Sequence, residues 1–270
     1  MTDTAPSPEL RPVTSRLRFG TPRTVAALIL REMSSTYGRT PGGYIWTILE
    51  PALGVALLSV VFSLALRNPQ LGSNFPIYYA TGLMPFYMYQ TVSTNVAQSI
   101  NYSRALLAYP RVTFADAILA RLILAVITQL LVSALVLGGI VMIFETRTVF
   151  EVPQMLLAYS MAICLGAGVG VTNCFLMAVF PVWQSAWSIL TRPLILISGV
   201  FFLLDTVPSP YREWLFWNPI AHVISATRGA FYHSYDAVYV SPVYVFTISG
   251  VAAFMGMMFL RRYNRDIREL

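Results

Sequence analysis

Long stretches without a charged side chain decide what this 270-residue chain can become. They run over 68–103, 122–144, 152–191, 193–204, 214–227 and 237–260, preceded by 45–66, which only Glu50 interrupts. A hydrocarbon core about 30 Å thick takes about 20 helical residues. Lipid offers the backbone no hydrogen bonds, so a crossing segment of this kind folds as a helix. Spans are expected at 51–66, 77–99, 119–144, 153–180, 184–204 and 242–260. Composition agrees: 56% of residues are hydrophobic and 11% charged, against about 25% charged in soluble domains.

The stretch 214–231, WLFWNPIAHVISATRGAF, is too short and is broken by Pro219. It is expected to dip into one side of the membrane rather than cross it. The arginines support that reading. With six spans, 13 of them fall on the side of both termini, against Arg67, Arg147, Arg212 and Arg228 opposite, with Arg192 inside a span. A seventh crossing would export the arginine-rich C-terminus, against the bias of basic residues toward the cytoplasm. The expected fold is therefore all-α and polytopic: six transmembrane helices, both termini cytoplasmic, and short re-entrant helices within 205–235.

All 18 basic residues are arginine, and there is no lysine. This excludes a P-loop on this chain, which needs lysine to reach the nucleotide phosphates, and Schiff-base chemistry, which needs its amine. If ATP drives this protein, another chain hydrolyses it. Cys164 and Cys174 lie ten residues apart in one apolar stretch and cannot pair within a helix. Residues 1–21 are polar and proline-bearing, without the apolar core of a secretory signal, and are expected to form a disordered cytoplasmic tail. Residues 22–270 read as a single membrane domain.

Two cytoplasmic segments carry more than connection. Residues 22–37 have the pattern of an amphipathic helix, with Thr21 as cap, Pro22 at the first turn and Gly38 at the end. Val25, Leu28, Ile29, Met33, Thr36 and Tyr37 share one face, while Arg23, Arg31 and Ser34 lie away from it. Glu32 falls within the apolar face, which calls for a partner. The helix either floats at the bilayer surface or docks a cytoplasmic subunit. The loop 101–116 interleaves Leu106, Leu107, Tyr109, Val112 and Phe114 with Arg104, Arg111 and Asp116. It is either a surface-lying loop or a helix that seats in a partner's groove.

Other features have plain readings. Gly166, Gly168 and Gly170 imitate a nucleotide fingerprint, but no strand surrounds them; Gly166 and Gly170 give the GxxxG spacing of close helix packing, extended by Ala162. His222 and His233 have no carboxylate or thiol at ligand spacing, and no nucleophile–base arrangement is visible. No metal, cofactor or catalytic residue is expected. Arg192 sits about nine residues into a span and is followed by Pro193. It either snorkels to the headgroups or faces a conduit for an anionic substrate. Tyr78, Tyr87, Trp183 and Trp187 belong to aromatic clusters that form an interfacial belt or line a sugar path.

The stretch LILREMSSTYGRTPGGYIWTILEP (28–51) strongly resembles the N-terminal signature of type-2 ABC exporters of bacterial polysaccharides. NYSRALLAYPRV (101–112) followed by DAILAR (116–121) resembles their cytoplasmic loop between the second and third spans. RPLILISGVFFL (192–203) and REWLFWNPIAHVISATRGAFY (212–232) are most similar to the capsular-polysaccharide branch. The resemblance covers residues 20–265, in order and at compatible spacing.

The resemblance implies a permease subunit of an inner-membrane exporter. It would assemble as two copies with two cytoplasmic ATPases that hold ATP and Mg, and with a periplasmic export partner. Its cargo would be a lipid-linked acidic capsular polysaccharide, with no nucleic acid involved. The helix 22–37 becomes the ATPase interface helix, with Arg31, Glu32 and Tyr37 on the matching motif. The segment 101–116 carries the coupling helix, through Asn101, Arg104, Pro110 and Arg111. Residues 205–235 become periplasmic re-entrant helices narrowing the exit, with Trp217, Asn218, Pro219, His222 and Arg228 on the motif. The turn FPVWQ lacks a basic residue expected of the family. The alternatives are an O-antigen or teichoic-acid exporter permease, an ion-coupled secondary transporter, and an integral-membrane glycan-modifying enzyme.

Overall fold

The computed structural model describes residues 20–37, 43–107, 113–146 and 148–263, with the side chains at 20, 35–37, 44 and 104–107 outside that description. The expected N-terminal tail falls almost wholly outside these residues. The described residues form helices and no strand. In chain order they are α1 (Gly20–Tyr37), α2 (Gly43–Ala65), α3 (Phe75–Ala97), α4 (Ser99–Leu107), α5 (Phe114–Ile143), α6 (Val152–Val179), α7 (Val182–Thr191), α8 (Leu194–Ile197), α9 (Tyr211–Leu215), α10 (Pro219–Phe231) and α11 (Pro242–Arg262).

Among the described residues, four helices are long and apolar enough to cross a membrane: Ile45–Ala65 within α2, α5, α6 and α11. The expected span at 77–99 is the 23-residue α3, which carries Tyr, Thr, Ser, Asn and Gln along its length. It tolerates them because it is the central helix, packed by α2, α5, α6 and α10 and buried from Ile77 through Phe86. A helix surrounded by protein has no need of a lipid-compatible surface.

Glycines let α6 sit tightly between two neighbours. A Cβ on Gly166 would stand 2.9 Å from the Tyr89 carbonyl oxygen of α3, and one on Gly170 2.7 Å from Val96 Cβ. Gly168, two residues along and about 200° around the helix, turns to α11, where a Cβ would lie 2.3 Å from the Ser249 carbonyl oxygen. Gly256 of α11 answers it against the Thr172 backbone at 2.6 Å, beside a hydrogen bond from Thr172 Oγ1 to the Ala252 carbonyl (2.8 Å). The GxxxG reading of 166 and 170 corresponds to the α3 face; the α11 face has no counterpart in that reading.

The helix expected over 184–204 is shorter in the structure. The helix ends at Ile197 and is bent at Arg192–Pro193, two residues that keep right-handed helical dihedrals. Proline cannot donate its backbone bond to the preceding turn, so the axis kinks there. Gly199, at φ 79°, then turns the chain, and 198–206 folds back as a tight loop ending in a 3₁₀ turn at Leu204–Thr206. Residues 182–197 extend about 24 Å as helix. None of α7 is buried within the chain, and Ile189, Leu190 and Leu196 stand exposed.

Candidate functional site

Polar side chains collect at the two ends of α3. At its C-terminal end, four helices meet at one arginine. A capping box starts α5: the Asp116 backbone N–H donates to Thr113 Oγ1 (3.2 Å), and the Thr113 N–H donates to Asp116 Oδ2 (3.0 Å). Further along α5 lies Arg121, whose side chain is 7% exposed. Its guanidinium pairs with Glu32 of α1, donates to the Asn95 carbonyl of α3 (3.3 Å) and lies 4.1 Å over the Tyr102 ring of α4.

The partner demanded by a carboxylate on the apolar face of α1 is thus Arg121. Arg31, next to Glu32, is exposed, as is Asn101 on α4. Tyr37 ends α1, and Arg104 lies within α4 by its backbone. Pro110 and Arg111 lie outside the described residues. The interface helix was expected at 22–37 and α1 spans Gly20–Tyr37, packed on α5 and with Val25 buried.

At the N-terminal end of α3, three polar side chains fix the loop after α8. Arg228 of α10 is fully buried; its Nη1 donates to the carbonyls of Gly199 (2.7 Å) and Phe202 (3.1 Å), and its Nη2 to that of Val200 (2.8 Å). Its guanidinium lies 4.5 Å over the Tyr78 ring. Gln70 Oε1 accepts from the Leu203 backbone N–H (2.7 Å) and from the Tyr78 hydroxyl (3.1 Å). Asn218 caps α10 by accepting from the Ile220 N–H, and its Nδ2 reaches Ser198 Oγ (3.0 Å). Pro219 follows at the first helical position, where a missing N–H costs no bond.

His222 joins this cluster in one tautomer. The Ser241 backbone N–H donates to Nδ1 (3.2 Å), so Nε2 carries the proton and donates to the Phe216 carbonyl (2.8 Å). Trp217 is 75% exposed, with its carbonyl accepting from the Tyr244 hydroxyl (2.8 Å). Beside them, Tyr235 donates to Asp205 Oδ2 (3.1 Å) and lies 3.3 Å from the Tyr239 hydroxyl, which meets Ser225 Oγ at 2.5 Å. Burial pushes both phenols above the ordinary tyrosine value. They remain protonated hydrogen-bonding groups at neutral pH.

The aromatics grouped by sequence separate in space. Tyr78 is buried in the core between Gln70 and Arg228. Tyr87 lines a cavity with Trp46 and Glu50. Trp183 donates to Asn173 Oδ1 (2.9 Å), tying α7 to α6, and stacks with Trp187 at 6.3 Å. Arg192 is exposed at the kink between α7 and α8. Sequence reasoning missed Arg121, Gln70 and Glu50 as members of these clusters. The signal for Glu50 was available, since it is the single charge in an otherwise apolar helix. Among the described residues, no three His, Cys, Asp or Glu side chains lie close enough to hold a metal ion.

Comparison with known proteins gives a consistent result. A family described as ABC-2 type transporter matches residues 23–232. The chain is 31% identical over 238 residues to the polysialic acid transport protein KpsM of Escherichia coli, covering 88% of this chain and 92% of that protein. It is 22% identical over 245 residues to the capsule polysaccharide export inner-membrane protein CtrC of Neisseria meningitidis, covering 91% and 92%. It is 23% identical over 245 residues, with the same coverage, to the capsule polysaccharide export inner-membrane protein BexB of Haemophilus influenzae.

Proposed function

The chain belongs to the ABC-2 type transporter family, and on that premise we propose that it is the membrane permease of an ATP-driven exporter of capsular polysaccharide. The observation that carries this is similarity along nearly the whole length to proteins named for polysialic acid transport and capsule polysaccharide export. The same inner-membrane relatives and the long apolar helices support a multi-pass protein of the inner membrane.

In this reading two copies of the chain assemble with two ATPase subunits and a periplasmic export partner, and the termini face the cytoplasm. Six crossings are made by α2, α3, α5, α6, the bent α7–α8 pair and α11. ATP and Mg reside on the ATPases, since this chain has no lysine with which to build a P-loop. The segment 101–116 seats α4 in the ATPase. ATP-driven closure moves α4 as a rigid element, and the Arg121 junction passes that movement to α1, α3 and α5 together. The 205–235 region narrows the periplasmic exit, held in shape by Arg228.

A long polymer must slide, so contacts along the path stay weak and repeated. The cargo is read as a lipid-linked acidic glycan, with Arg192, exposed in the structure, as a contact for it. Deleting the gene tests the function: surface capsule should disappear while polymer accumulates inside the cell. Capsule at wild-type level on the deleted strain would exclude the reading. Reversing Arg104 and Arg111 to Glu tests the coupling segment, with loss of export or of ATPase co-purification expected, and both unchanged if the assignment is wrong.

A further inference from the structure

The short helix α9 has a face that the rest of the chain does not cover. Backbone bonds from Phe216 to Arg212 (3.2 Å) and from Trp217 to Trp214 (3.3 Å) continue its winding through Trp217. Tyr211, Trp214 and Trp217 therefore recur at every third residue and form one ridge. They are 66%, 77% and 75% exposed. The other side is packed: the Phe216 ring stacks on Tyr239 at 4.3 Å, and the Phe216 carbonyl accepts from His222. Three large rings left bare together mark a contact surface.

Depth identifies what meets it. Residues 242–260 of α11 rise about 28 Å, close to the thickness of a hydrocarbon core, and Arg261 and Arg262 follow at one end. With those arginines among the headgroups on one side, the first turn of α11 reaches the edge of the core on the other. Tyr244 in that turn donates its hydroxyl to the Trp217 carbonyl (2.8 Å), which sets Trp217 at the same level. Next to Tyr244 begins a stripe of Val243, Val251, Phe254 and Met258, exposed at helical spacing. That is the pattern of a lipid-facing stripe, and the ridge on α9 stands at its end.

Chemistry agrees with depth. Tryptophan and tyrosine join an apolar ring to a polar tip, which suits the boundary between acyl chains and headgroups. Arg212 and Glu213 lie between the rings and cancel in charge, so the surface has no bias toward an anionic partner. The geometry points to a lipid surface as the partner of α9: Tyr211, Trp214 and Trp217 seat in the headgroup layer at the N-terminal end of α11. Asn218, directly after the ridge, caps α10 and reaches Ser198. The bilayer thereby holds the near end of α10 and, through it, the loop after α8. The inference needs only that α11 crosses the membrane and is independent of the export reading.

Tryptophan quenching in vesicles tests the proposal. The full-length chain and its variants Trp214→Phe and Trp217→Phe are reconstituted in phosphatidylcholine brominated either near the headgroup or near the chain ends. Subtracting each variant from the wild type isolates one indole from the other four. The isolated emission should be quenched at least about twofold more by bromine near the headgroup than by bromine near the chain ends, a difference set by depth within the core. Iodide in the water should quench it less than it quenches free tryptophan. Each variant keeps an aromatic ring at an exposed position and is read independently, so either one decides the result. Emission untouched by bromine but open to iodide places the ridge in water, and emission shielded from both places it against protein; either result overturns the proposal. Stronger quenching by chain-end bromine overturns the headgroup assignment. The capsule phenotype of the deleted strain is read separately: capsule at wild-type level would remove the export reading and leave the quenching results in force.

Discussion

Glu32 of α1 and Arg121 of α5 form an ion pair across 89 residues of sequence. The pair is partly buried, with side-chain exposures of 21% and 7%. It joins the helix that lies at the edge of the bundle to α5, which begins at Phe114 within the 101–116 segment. Through the Asn95 carbonyl and the Tyr102 ring, the same guanidinium reaches α3 and α4.

Arg121→Ala should therefore loosen four helices at once. Losing the Arg121 contact to Glu32 costs about 1–2 kcal/mol, below the value for a fully buried pair because the carboxylate keeps some contact with water. Thermal unfolding in detergent of the single variants and the double variant Glu32→Gln/Arg121→Ala measures this. The two effects should fall short of additive by at least about 0.5 kcal/mol; strict additivity would show that the pair contributes nothing.

Arg228→Leu should be the most damaging single change at the opposite end of α3. It leaves the carbonyls of Gly199, Phe202 and Val200 without their donor in a buried site, a loss of about 3–5 kcal/mol by analogy with broken buried charge networks. Arg228→Lys should rescue little, because a single ammonium cannot reproduce the planar fork. The fraction of monodisperse protein after extraction reports the effect. Wild-type yield for both variants would contradict it.

Glycine substitutions separate packing from mere presence in an apolar helix. Gly168→Ala and Gly256→Ala put a methyl into backbone at 2.3 Å and 2.6 Å and should sharply lower the yield of folded protein. Gly138→Ala and Gly139→Ala meet nothing within 4 Å inside the chain and should leave its folding unchanged or slightly improved. Equal damage at all four sites would mean that helix spacing does not set the effect.

Arg192→Leu should preserve folding, because the side chain is exposed at the kink. If Arg192 meets an anionic polymer, export should fall by about tenfold, a cost typical of one lost charge-assisted contact. Capsule quantification beside a membrane-protein blot gives both readings. Export at wild-type level with normal protein abundance would remove Arg192 from the path.

Much of the architecture was legible because it rests on local chemistry. Uncharged runs marked α2, α5, α6 and α11, and the isolated Glu32 signalled a missing partner, while α5 starts at Phe114, ahead of the expected 119. The site was less legible, because its decisive bonds end on backbone carbonyls. Nothing in the residue types at 199, 200 and 202 announces that they accept from Arg228, and Tyr78 looks like any belt aromatic until Gln70 and Arg228 enclose it. The helix expected over 184–204 ends early for a related reason. Hydropathy continues past Ile197, while the backbone turns at Gly199 and is held there by groups far away in sequence.

The sequence by itself determined that this chain is helical and membrane-compatible, that it lacks the lysine of a nucleotide site, and which family signature it carries. These follow from solvation and from residue chemistry, which act on each segment alone. Only the tertiary structure decided that α3 is the buried helix, that α6 has a glycine face for each neighbour, and that Glu32 pairs with Arg121. Each of these depends on which surfaces meet. A helix face has a chemical character in the sequence, but it acquires a partner only when the chain folds back on itself.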